Sequence, residues 1–497
     1  MSELPPPREA PLDMPAEEFR AAGHALVDQL ADFLASLPER PVTPAPTQPE
    51  VRELLGDRSL PETGESAAEI LPQTAELLAD NSLFNSHPKF FGYITSSAAP
   101  VGALGELLAA TMNPNLGGWA LSPVASEIET QTVRWIAELL RYPVDGGGLL
   151  VSGGNVANFI GFLAARRAKA DWRIREEGLR AGPKPLTVYC SVGTHTWIQK
   201  ATDLFGLGTD AIRWIETDAD HRMNLESLQS AISEDRAAGF EPLLVVGTAG
   251  TVGVGAVDPL RAIGELCTRE NIWFHVDGAY GALAAVLDDA PEDLHALALA
   301  DSIAVDPHKW LYAPIEAGCA LVKDPQHLVD AFAFMPDYYF FGTDDEQPVN
   351  YYELGLQNSR GFRALKVWLG LRTAGRSGCA QMIADDIALA RRMYERFVAE
   401  PDFEARTCEL SITTFRYVPG DGTLSGDALN EFNQQLLEKL QREGRCYPSN
   451  AIIDGDFYLR ACIVNFRTQA TDVDELPGIV AAAARELRED GPESVTA

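Results

Sequence analysis

A lysine stands beside a histidine in Val305-Asp306-Pro307-His308-Lys309-Trp310, directly after Ser302-Ile303-Ala304-Val305. The apolar run reads as a short buried strand, so Lys309 sits just past a strand end. An amine held there, partly desolvated, is suited to forming a Schiff base with a carbonyl. Upstream, Trp273-Phe274-His275-Val276-Asp277-Gly278-Ala279-Tyr280-Gly281 ends another apolar run in a carboxylate followed by small residues. A carboxylate at the end of a buried strand is costly unless a cation answers it, and Ala279 with its flanking glycines leaves room for a flat ring.

Two further stretches have matching chemistry. In Leu149-Leu150-Val151-Ser152-Gly153-Gly154-Asn155-Val156-Ala157-Asn158 a strand meets a glycine pair where a helical pattern begins and runs on to Ala168. Backbone N–H groups at such a helix start, with Ser and Asn side chains, suit a phosphate dianion. Ser191-Val192-Gly193-Thr194-His195-Thr196-Trp197 follows the strand-like Leu186 to Cys190 and can set an imidazole over an aromatic ring. Singly, each has a plainer reading: a solvated lysine, an Asp-Gly turn or helix cap, an ordinary glycine pair, a loop histidine. Together they supply a phosphate site, a stacking ring, an acid for a protonated pyridine nitrogen and an amine, which are the parts that pyridoxal phosphate requires.

The elements that must position these residues alternate between about Gly147 and Lys323. Strand patterns at Leu149 to Val151, Thr187 to Cys190, Ile212 to Ile215, Leu243 to Val246, Trp273 to Val276, Ile303 to Val305 and Cys319 to Val322 are separated by helical ones. This predicts a mostly parallel α/β sheet covered on both faces. Ligands on such sheets bind beyond the carboxyl ends of the strands, where Gly154, His195, Thr248, Asp277 and Lys309 all fall. Before this region, apolar residues from Phe19 to Leu34 recur at helical spacing, Pro38 to Pro49 reads as a linker, and Ala67 to Leu78 as a second helix. After about Ser377, patterns at Met382 to Val398, Ser411 to Tyr417, Leu429 to Arg442 and Phe457 to Asn465 predict a smaller α+β domain.

Composition sets outer limits. A chain of 497 residues, 46% hydrophobic, suffices for one large domain with appendages. Forty basic against 72 acidic side chains give a formal charge of −32, which opposes a phosphate backbone or an anionic membrane as partner. The seven cysteines show neither C-x-x-C pairs nor ligand spacing and are expected to be reduced thiols of a cytoplasmic protein; no metal is expected. The stretch Met1 to Pro7 lacks a basic region followed by an apolar core, and no apolar run reaches spanning length, so no export signal or membrane anchor is expected.

The Pro-His-Lys-Trp and His-Val-Asp-Gly-Ala-Tyr motifs resemble those of the aromatic L-amino-acid decarboxylases, in the group II pyridoxal-phosphate-dependent family, and the resemblance runs from about Phe19 to about Leu487. It implies the aspartate-aminotransferase-like fold (fold type I): an N-terminal helical segment, 1–86, that wraps a partner subunit, a large cofactor-binding α/β domain, 87–376, and a small α+β domain, 377–497. It implies pyridoxal 5'-phosphate held by Gly154, Asn155, His195, Thr248, Asp277, Ala279, His308 and Lys309, with the active site at a homodimer interface. Lys309, His195, Asp277 and Tyr351 become the expected catalytic residues, and Tyr93, Ser96 and Trp119 the expected substrate contacts. A lid corresponds to Asp337 to Glu346; its catalytic tyrosine aligns with Tyr351, with Tyr352 one residue away. Arg460 and Arg467 match family positions and read first as structural charges.

This chain also departs from the family. Gly117 stands where animal members have a bulky aromatic and is expected to widen or reshape the substrate pocket. Val156 replaces an acidic residue in the phosphate loop, and Asp306 replaces an asparagine, putting a carboxylate where a phosphate contact is expected. The implied activity is decarboxylation of an aromatic L-amino acid to its amine and CO₂. The alternatives are an oxygen-dependent aldehyde synthase on the same scaffold, a decarboxylase of non-aromatic amino acids, and a non-catalytic protein of this fold.

Overall fold

The computed structural model describes residues 10–334 and 348–490. The expected lid, Asp337 to Glu346, lies outside the described residues. All seven expected strands form and join in one sheet: β1 (Gly147–Val151), β2 (Leu186–Ser191), β3 (Ile212–Ile215), β4 (Glu241–Thr248), β5 (Trp273–Asp277), β6 (Ser302–Val305) and β7 (Gly318–Val322). Their order is β1-β7-β6-β5-β4-β2-β3. The register is parallel from β3 through β6, and β7 runs antiparallel to both β6 and β1. The exception has a simple cause: the segment from β6 to β7 contains no crossover helix, and without one a returning strand must reverse. That segment holds Lys309.

The sheet is buried on both faces, as the unbroken run Leu243-Leu244-Val245-Val246 on β4 requires. The Gly154–Lys169 helix packs across it, beginning at the end of β1. At the edge, Arg360 and Glu129 form an ion pair closed off from solvent; Glu129 Oε1 accepts from Leu150 N and Arg360 Nη2 donates to Leu150 O, which satisfies backbone groups that β7 leaves unpaired on β1.

A second sheet, wholly antiparallel, has the order β10-β11-β9-β8, with β8 (Phe403–Glu409), β9 (Ile412–Tyr417), β10 (Ser449–Ile453) and β11 (Asp456–Cys462). The helices Gly426–Glu443 and Ala470–Asp490 belong to this part of the chain, and it has its own core, in which Phe397 stacks on Phe415 at 3.7 Å between ring centres. A long helix, Arg363–Ala399, reaches from the large sheet to the small one. It breaks at Gly375 (φ 65°, ψ 174°), a left-handed residue beside the expected boundary at 376/377.

The N-terminal helix Ala16–Ser36 packs on Ala67–Asn81, yet none of its own residues is buried, and Phe19, Val27 and Leu30 of its expected apolar stripe are exposed. Part of the expected linker is instead ordered as the helix Gln48–Leu55. Thr47 and Glu50 cap it reciprocally, and Pro49 sits in its first turn, where a missing N–H costs nothing. Among the described residues no helix is long and apolar enough to cross a membrane.

Candidate active site

The carboxyl ends of β1, β2, β4, β5 and β6 open into a cavity of about 310 Å³. Gly154, Asn155, His195, Thr248, Asp277, Ala279, His308 and Lys309 all line it, together with Ser152, Asn158 and Asp306.

Asp277 ends β5 and is buried. Its Oδ2 accepts from the indole Nε1 of Trp197 at 2.7 Å and its Oδ1 from the backbone N of Ala279 at 3.2 Å. Both donors are neutral, so this carboxylate favours a cationic group in any ligand that enters the cavity. The Trp197 backbone N also donates to Nδ1 of His195, at 3.3 Å, which leaves the imidazole proton on Nε2. Burial holds His195 below the ordinary imidazole range, against the opposing pull of Asp277, so the ring is neutral near neutral pH. Trp197 thus fixes both residues, a role the sequence reading missed. Its signal was a tryptophan opening a helix next to the histidine, because a buried indole N–H must find an acceptor.

The phosphate end is built on glycine. Gly153 has φ 93°, and a Cβ on Gly154 would stand 2.7 Å from Asp306 Oδ2 and 3.2 Å from the Ala279 Cβ. The first N–H groups of the helix beginning at Gly154 have no acceptor within the helix. A chain of neutral groups supports this turn from beneath: Trp273 donates to Ser302 Oγ at 2.8 Å, Ser302 bonds His275 at 2.8 Å, His275 bonds Asn158 at 2.7 Å, and Asn158 donates to Gly154 O at 2.9 Å. Burial pushes His275 down to about 4, so this histidine of the Asp277 motif is an uncharged strut. Thr248 ends β4 with its backbone N donating to the buried Asp258 at 2.8 Å and its hydroxyl 3.4 Å from that of Thr194.

Lys309 projects from the turn after β6. Its Nζ lies 3.2 Å from Asp306 Oδ2, and His308 Nε2 lies 3.7 Å from the same oxygen. The Lys309 amine answers the carboxylate that stands beside the phosphate loop. The second oxygen, Oδ1, is buried without a hydrogen-bond partner among the described residues. The His308 Nδ1 lies 2.7 Å from Ala317 O, holding the ring against the start of β7.

Several expected residues stand elsewhere. Ser96 is buried and donates to His308 O at 2.7 Å, so it braces the lysine turn and is not free for substrate. Tyr93 is 55% exposed, in a left-handed conformation beside Tyr447, and Ile94 takes the cavity wall. Trp119 donates to Glu127 at 2.8 Å and lines a separate cavity with Gln131 and Arg134. Tyr351 is not brought into the lysine cavity: its hydroxyl is bonded to Thr130 at 3.0 Å and its ring lies under Arg360, so it anchors the chain following the lid. The neighbouring Tyr352 is also buried, its backbone N donating to Gly117 O at 3.0 Å. Gly117 does not widen the cavity; a Cβ there would come 2.2 Å from Asn358 O, so glycine answers a close backbone approach. Arg460 is buried with Nη1 on Ser449 Oγ at 2.8 Å and with Nε and Nη2 unpartnered, and Arg467 stacks on Phe466.

A buried carboxylate met by neutral donors, a neutral imidazole, a glycine cradle at a helix start and an amine in one cavity fit pyridoxal phosphate. The profile of the pyridoxal-dependent decarboxylase conserved domain matches residues 49–418. An aromatic-L-amino-acid decarboxylase of Bacillus atrophaeus is 33% identical, over 96% of this chain and 97% of that protein. A phenylacetaldehyde synthase of Petunia hybrida is 31% identical, over 90% of each. The tryptophan decarboxylase of Catharanthus roseus, solved with L-tryptophan, superposes with a TM-score of 0.85 at 28% identity, over 96% of this chain and 100% of that one. The chain belongs to the pyridoxal-dependent decarboxylase family. It is a pyridoxal-phosphate-dependent carboxy-lyase of fold type I.

Proposed function

We propose that the protein decarboxylates aromatic L-amino acids to their amines and CO₂, as a cytoplasmic homodimer. The observation that carries the reaction class is the single cavity in which Asp277, held only by neutral donors, shares a space with Lys309 and a neutral His195. Lys309 would hold pyridoxal phosphate through its aldehyde carbon, the turn from Ser152 to Asn155 its phosphate, and Asp277 its ring nitrogen. When bound, the cofactor draws into its ring the electron pair left at the substrate's Cα as CO₂ departs. Asp277 would keep that nitrogen positively charged, because its buried carboxylate is met here by neutral donors and favours a cation. The His195 ring supplies a flat, uncharged wall and a proton on Nε2. Lys309 Nζ, with Asp306 Oδ2 3.2 Å away, would be a second proton carrier for Cα.

The aromatic substrate is supported by relatives named for aromatic amino acids. The dimer is supported by the apolar faces that a single chain leaves bare, on Ala16–Ser36 and at Leu104, Leu107, Leu108 and Met112 of the Pro100–Met112 helix. Product analysis over a panel of amino acids with added pyridoxal phosphate tests the reading, scoring CO₂, amine, aldehyde and peroxide. Amine and CO₂ in equal amounts from tryptophan, tyrosine or phenylalanine are expected. A preference for glutamate or aspartate would overturn the substrate assignment. Aldehyde with peroxide as the main products would assign the chain to the synthase branch, and light scattering in solution tests the dimer.

A further inference from the structure

We propose that Asp386, on the far side of the Gly375 break, is a positioning residue that sets the attitude of the Lys309 amine. Its carboxylate is buried, and Oδ2 accepts from Trp310 Nε1 at 3.0 Å and from Tyr312 Oη at 2.7 Å. Both donors belong to the turn that carries Lys309, one immediately after it and one three residues on. No cation pairs with Asp386 among the described residues, so an acid has been desolvated for these neutral donors alone.

The turn needs such an anchor. Tyr312 has φ 51°, a left-handed conformation that costs a bulky side chain energy and persists only where its surroundings over-determine it. The surroundings here are explicit: Tyr312 N donates to Lys309 O at 3.0 Å, Tyr312 O accepts from Ala99 N at 2.8 Å, and the hydroxyl ends on Asp386. Trp310 is fixed at its other face by Tyr280, 4.6 Å away between ring centres and three residues past Asp277. The strained turn therefore hangs between the Asp277 motif and a carboxylate contributed by the C-terminal half of the long helix. Removing the carboxylate frees two buried donors and lets Tyr312 relax, which carries Lys309 with it.

This inference rests on Lys309 being the amine that takes the cofactor, and the test separates the two. Apoprotein is mixed with pyridoxal phosphate, quenched with borohydride at timed intervals, and the pyridoxyl adduct on Lys309 is followed by mass spectrometry, alongside kcat, KM and melting temperature. Asp386→Ala is expected to slow capture at Lys309 at least tenfold and to lower kcat more than it raises KM. Asp386→Asn, whose amide oxygen still accepts from Trp310 and Tyr312, should recover most of the rate. Met393→Ala, in the C-terminal core of the same helix, should lower the melting temperature without slowing capture. If Asp386→Ala proves unfolded, Tyr312→Phe removes one of the two contacts and should slow capture in the same direction. Capture at the wild-type rate in Asp386→Ala or Tyr312→Phe, equal slowing by Met393→Ala, or no recovery with Asn would overturn the proposal. An adduct on a lysine other than Lys309 in the wild type would overturn the functional reading itself.

Discussion

At the scale of single residues, Asp306 gives the sharpest test, because it sets a buried negative charge where the glycine turn prepares for a phosphate. Lys309 answers that charge through Oδ2, and Oδ1 has no partner among the described residues. Asp306→Asn removes a repulsion from the phosphate end, so the apoprotein should bind inorganic phosphate and pyridoxal phosphate more tightly, by roughly tenfold for about 1.4 kcal/mol of relieved repulsion. Titration calorimetry with phosphate reads this directly, and weaker binding would show that the carboxylate serves the ligand instead. Lys309→Ala should leave a folded protein without the visible absorption of bound cofactor and without turnover; an active variant would remove the basis of the proposed chemistry. Tyr351→Phe deletes only a hydroxyl bonded to Thr130, so it should cost about 1 kcal/mol of stability and leave the amine-to-aldehyde ratio unchanged. A rise in aldehyde and peroxide from that variant would show that Tyr351 reaches the reacting carbon after all.

At the scale of elements, the legible part of the site is the part that lies at strand ends. Lys309, Asp277, Thr248, His195 and Gly154 each follow an apolar run short enough to be a strand, and the parallel register then gathers them without further information. What stayed hidden depends on partners distant in sequence. Asp386 reads as one acid among many on a helix, and only folding sets it against Trp310 and Tyr312. Ser96 looks like a pocket hydroxyl until His308 O is found 2.7 Å away. The Gln48–Leu55 helix was concealed by prolines, although Thr47-Gln48-Pro49-Glu50 carries the capping pattern. Gly117 was read as space for substrate and is space for a backbone. Adding one methyl tests that correction: Gly117→Ala meets Asn358 O at 2.2 Å and should lower stability by about 1–3 kcal/mol in denaturant unfolding. Full stability with an altered substrate preference would restore the pocket role.

At the scale of the whole molecule, three fully buried groups contribute to how stability depends on pH, and they pull in opposite directions. Burial raises Asp386 to about 7 and Asp258 to about 6, so each holds its proton more firmly folded than unfolded. Between the ordinary aspartate range near pH 4 and these values the folded state binds more protons, and stability falls as pH rises through that window. His275 is the counterweight: burial lowers it to about 4, the unfolded chain takes up its proton first, and stability falls as pH drops from about 6.5. The formal charge of −32 adds self-repulsion that grows as the remaining carboxyl groups ionise. The sum places maximal stability on the acid side of neutrality, with the melting temperature at pH 6 above that at pH 8. Scanning calorimetry of the apoprotein at fixed ionic strength measures it. Asp386→Leu, which removes the titrating group, should flatten the decline between pH 6 and about 7 relative to wild type even while lowering stability throughout, because two buried donors lose their acceptor. An unchanged slope between pH 6 and 8 in that variant would mean that Asp386 does not gain its proton on folding.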